Sequence, residues 1–216
     1  MQSELLLSTH NSHRQHNLAD SPRTSEKGGK QAFASKGLRT RTCCLIGLAS
    51  FVQQQYRFRL VTASDLPLIQ RWRHQRHVVQ WWGSPEVEPE ADKLGDRRIA
   101  MWLVELAGRP FAFAQDYDPH AWTPHPFSHL PAGARGIDQY IGKPEMLGLG
   151  HGSAFVRAHC DRLFAEGAPA IGTDPHPDNV RAIRAYEKAG FTVASGPVET
   201  RWGYAVLMER WRDARE

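Results

Sequence analysis

Three stretches of the sequence carry side chains that could do chemistry. In "GIDQYIG", Asp138 is a lone charge inside a strand-like run. If Ile137 and Gln139 face one side of a sheet, Asp138 faces the other, where a cleft carboxylate can take a proton or hold a cation. The alternative is a solvent-facing strand carboxylate. "LGLGHGS", Leu147 to Ser153, follows a strand and opens a helix. Glycines let the backbone approach an anion, and free amides at a helix start point toward it. No Lys follows the last Gly, and the spacing is not that of a dinucleotide fingerprint. A flexible strand-to-helix turn would look the same. "TDPHPDNVRAIRAYEKAGF", Thr173 to Phe191, reads as a turn, a helix and a strand start. Its prolines stiffen the turn, Asp178 or Asn179 can cap the helix, and Tyr186 lies on that helix. By spacing alone, Tyr186 is a core aromatic. Asp174 is a second carboxylate, able to bind amino groups or to form the turn.

The Gly-rich turn and "DNVRAIRAYEKAGF" together resemble the acetyl-CoA-binding half of the GNAT acyltransferase superfamily. More narrowly, "HVVQWWG", "GIDQYIG" and "TDPHPDNVRAIRAYEKAGF" are similar to the bacterial aminoglycoside 6'-N-acetyltransferases. The resemblance spans about Tyr56 to Trp211. It implies an α/β fold with a mixed, mostly antiparallel twisted sheet, flanked by helices, whose splayed central strand pair binds acetyl-CoA. It also implies direct attack of a primary amine on the thioester, with acetyl-CoA as co-substrate and no metal. The backbone amides of Leu149, Gly150, His151, Gly152 and Ser153 would cradle the pyrophosphate. Leu147 stands where the family usually has Arg or Gln. Asn179 resembles the residue that bonds the pantetheine arm. Tyr186 would protonate the departing thiolate, which otherwise leaves poorly, and Asp138 would be the base on the amine side. A backbone amide near Tyr140 would stabilise the oxyanion. Asp174 would bind amino groups. Trp81 and Trp82 would form a wall for a sugar ring and its ammonium groups, or pack in the core. Gln115 and Asp116 end a strand near the expected cleft. The implied partner is a small-molecule amine, foremost the 6'-amine of an aminoglycoside antibiotic. A siderophore precursor or other polyamine is a second reading, and a non-catalytic acyl-CoA sensor a third. A sensor should lack either Tyr186 or the cleft carboxylate.

Those residues need elements to hold them. "YRFRLV" alternates as a strand. "SDLPLIQRWRHQRHVV" reads as one helix with Ser64 as its N-cap. "AMWLVEL", "AGRP" and "FAFAQDYD" read as a hairpin. A Pro-rich loop follows, then the Asp138 strand, which is expected to bulge away from its neighbour. The Gly-rich turn opens a helix that Gly167 closes. "APAIGTD" is a strand, Asn179 to Ala189 a helix, and "FTVAS" and "GYAVLMERW" two more strands. The order βα, hairpin, β, βα, βα, ββ makes a mixed sheet, not a doubly wound one.

The 216 residues suit one sizeable domain with some to spare. Residues 1–50 are polar, rich in Ser, His, Gln and Lys, and read as a disordered leader or an over-extended start, with the acetyltransferase-like domain over 51–216. Seven Lys/Arg and three Asp/Glu precede residue 56. The remaining 20 basic and 20 acidic residues balance, so the net charge of +4 belongs to the leader and does not argue for nucleic-acid binding. No apolar run is long enough to span a bilayer. Cys43, Cys44 and Cys160 suit a reducing, cytoplasmic setting better than a disulfide framework. His120, His125 and His129 in the Pro-rich loop lack metal-ligand spacing. A monomer or a homodimer is expected.

Overall fold

The computed structural model describes residues 56–212. The leader, with Cys43 and Cys44, lies outside them. Seven strands form one sheet: β1 (Tyr56–Leu60), β2 (Ile99–Leu106), β3 (Arg109–Tyr117), β4 (Arg135–Ile141), β5 (Ala170–Thr173), β6 (Thr192–Thr200) and β7 (Gly203–Trp211), in the order β1-β2-β3-β4-β5-β7-β6. All neighbours run antiparallel except β4 and β5. This is the mixed, mostly antiparallel sheet that the sequence implied. Ala107 and Gly108, both with positive φ, turn the β2–β3 hairpin and match the twist of its strands.

Helices cover both faces. On one, α3 (His151–Ala165) and α4 (Val180–Lys188) pack Phe155, Val156, Leu163 and Tyr186 against Val104, Ala114, Ile137 and Met208. On the other, α1 (Leu66–Arg73) and α2 (Arg76–Trp82) pack Ile69, Trp72 and Val78 against Leu103, Phe113 and Tyr140. Each such side chain contributes about 1.5–3 kcal/mol on burial.

The single helix expected after β1 is broken at Gln75, which is extended. In an unbroken helix, residues 73 and 82 would stand roughly 13 Å apart along the axis. Here the Arg73 guanidinium reaches the Trp82 carbonyl at 3.3 Å and pairs with Glu90, both charges being buried. The break brings those partners within reach. Thr62, not Ser64, opens the first turn, through a capping box with Asp65.

The feature that matters most for function is a gap. β4 and β5 pair only at Arg135–Ile171 and Gly136–Gly172, then part. From Ile137 to Ile141, β4 keeps β3 on one edge and has no strand on the other. The bulge expected in β4 is absent. The β3–β4 register is unbroken, and the irregularity lies at Phe111, between β2 and β3. Splaying needs no extra residue because β5 is short and ends at Thr173.

Candidate active site

The parted strands open a cleft of about 840 Å³, counted out to the solvent at its mouth. His77 and Trp81 of α2, Tyr140 of β4, Gly152 of α3, and Asn179 and Tyr186 of the α4 segment line it. His77 closes one end, its Nε2 lying 2.8 Å from the Ile141 carbonyl oxygen.

The Gly-rich turn has the geometry that an anion requires. Gly148 and Gly150 take positive φ values of 77° and 85°, and Gly150 is the N-cap of α3. The amides that follow have no partner one turn earlier in the helix. A Cβ on Gly152 would lie 3.9 Å from Ala185 Cβ and 4.0 Å from Ile141 Cδ1, so a larger side chain would grow into the space between α3, α4 and β4. Leu149 is exposed. The His151 ring turns inward, its Nδ1 lying 2.9 Å from the Tyr56 hydroxyl, and so offers the cleft only its amide. The Ser153 hydroxyl donates to the Gly150 carbonyl at 3.2 Å. Asn179 rather than Asp178 caps α4. Its side-chain oxygen accepts from the Ala182 amide at 3.1 Å, which leaves its NH2 as the group to offer the cleft.

Tyr186 is buried on the inner face of α4, edge-on to Phe191. The Gln139 side-chain NH2 donates to its hydroxyl oxygen at 2.5 Å, and Thr173 bonds it from the end of β5. Burial pushes the phenol well above its ordinary pKa, and the nearby charges of Asp138 and Asp174 add to the rise. The group therefore holds its proton at neutral pH, the state that a proton donor needs.

Asp138 points to the opposite face of the sheet from Gln139. Gln115, its cross-strand partner, donates to Asp138 Oδ2 at 2.9 Å. Burial raises the Asp138 pKa and Glu88 adds to the rise, whereas the Gln115 hydrogen bond and Lys93 pull it back. Asp174 follows the end of β5, within electrostatic reach of Asp138. Its pKa is raised strongly, first by burial and then by Asp138. Tyr117 joins them with a buried phenol that burial and both carboxylates hold protonated. Its ring lies over Gly136, where a Cβ would fall 2.2 Å from it, so only Gly fits there.

The two tryptophans divide. Trp82 packs edge-on to Tyr140 and Phe113, as a core residue at the cleft wall. Trp81 is the more exposed, with its ring centroid 5.8 Å from that of His176. Asp116, expected at the cleft, is directed elsewhere. It lies on the α3 face, where its carboxylate accepts from Trp102 Nε1 at 2.6 Å and from Arg135 at 2.5 Å, and meets His159 and Arg162 at 3.2 Å each. Burial alone would raise its pKa, but His159 and Arg135 outweigh that and bring it down to about 2. No face of this carboxylate is left for a substrate. The loop histidines also have separate partners. His125 Nδ1 accepts from the Phe127 amide, and His129 Nε2 lies 2.6 Å from Glu209. Among the described residues no His, Cys, Asp and Glu cluster is arranged to hold a metal.

The sequence reading had not singled out Gln139, Thr173, Tyr117 and Lys93. Gln139 and Thr173 each adjoin a residue that was named, and strand alternation carries Gln139 to Tyr186. Tyr117 and Lys93 left no local signal.

The profile of the acetyltransferase (GNAT) domain family matches residues 61–196. The aminoglycoside N(6')-acetyltransferase type 1 of Klebsiella pneumoniae is 37% identical over 172 residues, covering 73% of this chain and 84% of that protein. A solved structure of the aminoglycoside acetyltransferase AAC(6')-Ib, in complex with coenzyme A and kanamycin, superposes with a TM-score of 0.66 at 35% identity. That match covers 73% of this chain and 95% of the other. The spermidine N-acetyltransferase of Vibrio cholerae, at 18% identity and a TM-score of 0.58, shares the fold. A sheet parted between β4 and β5, a glycine turn opening α3 at the cleft, and relatives matched over most of their length place this chain in one family: it belongs to the GNAT acetyltransferases.

Proposed function

We propose that the protein transfers acetyl from acetyl-CoA to the 6'-amine of an aminoglycoside, by direct attack within a ternary complex. The observation that carries this reading is the placement of Tyr186 and Asp138 on opposite faces of the sheet at the gap between β4 and β5. A thioester lying in that gap has a proton donor on its sulfur side and a carboxylate on its amine side. The Gly148–Ser153 turn would hold the pyrophosphate, and the free β4 edge near Tyr140 would hold the pantetheine arm and the oxyanion.

The balance of the step follows. The amine nitrogen bonds to the acetyl carbon and the carbon–sulfur bond breaks. Asp138 takes a proton from the incoming ammonium, directly or through a water, and passes it to solvent, and the attacking nitrogen sheds a second proton to solvent as it becomes an amide. Tyr186 donates its proton to the leaving thiolate and regains one from solvent before the next turnover. Asp174 and the exposed ring of Trp81 suit the remaining ammonium groups and ring faces of such a substrate. An acyl-CoA sensor has no need of a donor and a base on opposite faces of a thioester slot, so the paired groups favour catalysis.

The test is thiol release from acetyl-CoA with kanamycin, other aminoglycosides, hydroxylamine siderophore precursors and spermine as acceptors. The expected product is a singly acetylated aminoglycoside with the acetyl on the 6'-nitrogen. Turnover with spermine or a hydroxylamine alone would reassign the substrate. Binding of acetyl-CoA without turnover of any amine would favour the sensor.

A further inference from the structure

Three exposed aromatic rings follow one another outward from the cleft. Trp81 of α2 lines the cleft itself. The His176 ring lies 5.8 Å from it, centroid to centroid, and the Tyr204 ring, at the start of β7, lies 6.4 Å from that of His176. Trp81 and Tyr204 are 37% and 44% exposed and the His176 side chain 42%, enough for all three to receive a ligand. The row starts on the amine side. Tyr140 packs into the α1–α2 cluster, and Asp138, two residues earlier on β4, shares its face of the sheet. The turn that carries His176 holds its ring in place. Pro175 and Pro177 restrict the backbone on either side of it. The Pro175 carbonyl accepts from the Val206 amide at 2.9 Å, which ties the turn to β7. The Asp178 amide donates to His176 Nδ1 at 3.2 Å, which sets the orientation of the ring and leaves Nε2 to carry its hydrogen. Carboxylates stand two residues away on each side, Asp174 toward the recess and Asp178 with its side chain 84% exposed. Aromatic faces suit the apolar face of a sugar ring and, through the ring quadrupole, an ammonium group. A row of them bordered by carboxylates suits a ligand that carries both.

We propose that His176 and Tyr204 extend the Trp81 wall into a second subsite, a platform for the aminoglycoside rings beyond the one that is acetylated. The ammonium groups of those rings would lie over the aromatic faces and beside Asp174 and Asp178. This rests on the reading of the substrate as an aminoglycoside. The platform is remote from the reacting carbon, so it binds ground state and transition state alike and acts on KM rather than kcat. A linear polyamine has the ammonium groups without the ring faces and gains less from it.

The test compares kanamycin with a one-ring acceptor, methyl 6-amino-6-deoxyglucoside, by steady-state kinetics, with calorimetry of kanamycin on the CoA-bound protein. His176→Ser and Tyr204→Ser should each raise KM and the dissociation constant for kanamycin about fivefold or more, with kcat unchanged. The kcat/KM of the one-ring acceptor should change less than about twofold, because it does not reach the platform. Tyr204→Ser breaks no hydrogen bond of the turn, so it carries the test if His176→Ser fails to fold. An unchanged KM for kanamycin in both variants, or an equal loss for the one-ring acceptor, would overturn the platform and leave the acetyl transfer in place. Kanamycin that binds through these residues without being acetylated would overturn the transfer and keep the platform. An unaltered protein that does not bind kanamycin would overturn both.

Discussion

In the proposed mechanism Tyr186 and Asp138 act at different moments, so their loss should look different. Tyr186→Phe removes one hydroxyl and should lower kcat about a hundredfold, with the dissociation constant for acetyl-CoA unchanged. Asp138→Asn should lower kcat on a similar scale, with the rate still rising toward higher pH because solvent must then deprotonate the amine. Steady-state kinetics across pH 6–9, with calorimetry for the cofactor, separates the two. A Tyr186→Phe enzyme with undiminished kcat, where chemistry limits the rate, would remove the proton-donor role. Tyr186 stood out in the sequence because it sits in a long, specific motif, and Asp138 because it is a charge inside a strand-like run. Asp116 was misplaced for a simple reason. Gln115 and Asp116 are adjacent, and strand alternation sends them to opposite faces. Gln115 meets Asp138 in the recess, whereas Asp116 meets Arg135, His159 and Arg162 under α3. Local pattern does not say which of two neighbouring polar residues faces the cleft; the partners on β4 and α3 decide it.

The elements were legible where their signals are local. The β2–β3 hairpin has its two-residue turn, α3 its glycine entry, and α4 its Asn cap and Gly190 stop. The break between α1 and α2 was not legible, because the partner that Arg73 meets beside it, Glu90, lies well outside the helix. Strand β6 runs on to Thr200, past the Gly196-Pro197 pair that reads as a stop. It is the edge of the sheet, where a proline costs no ladder bond, and its pairing with β7 is irregular on both sides of Ser195. The cleft-facing side of α3 gives the prediction for this scale. Gly152→Val should weaken acetyl-CoA binding at least tenfold while leaving the melting temperature within a few degrees, because the added methyls enter the cleft and not the core. Calorimetry and a thermal melt read the two quantities. A variant that loses stability and cofactor affinity together would instead make Gly152 a packing position.

For the whole molecule, charge placement matters more than net charge. Outside the leader the chain is neutral, yet Asp138 lies within electrostatic reach of Glu88 and Asp174, while Asp116 draws cations under α3. His159 and Asp116 are two of the groups that respond to acid, alongside His125, Asp65 and Asp96, whose pKa values are also lowered. His159 is held below its ordinary 6.5 by burial, so its contribution is complete above that pH and is lost as pH falls below it. Asp116, at about 2 against an ordinary 3.8, stabilises the fold by about 2 kcal/mol above 3.8 and loses this as pH falls toward 2. Melting temperature should therefore decline as the pH falls below 6.5 and further below 3.8. Asp116→Asn should melt several degrees lower at pH 7, with a smaller further loss below pH 3.8 than the unaltered protein shows. All seven strands and four helices described lie between Tyr56 and Trp211. A chain starting at residue 51 should accordingly melt within a few degrees of the full-length protein, by calorimetry, and bind acetyl-CoA equally well.

The parting of β4 from β5 also bears on how firmly the two halves of the sheet hold together. Two residue pairs join a four-stranded portion to a three-stranded one, so the ladder there has most of its rungs missing. A pantetheine arm, with its own amide groups, is the right shape to act as a removable strand across that seam. Cofactor would then do for the sheet what a bound ligand does for any native state, adding stability that grows with the logarithm of its concentration. The effect should be local as well as global. On adding acetyl-CoA, backbone amides of β4 from Ile137 to Ile141 should slow their hydrogen exchange more than those of β1 or β6 at the outer edges. Uniform slowing across all seven strands would instead mean that the seam is already as rigid as the rest.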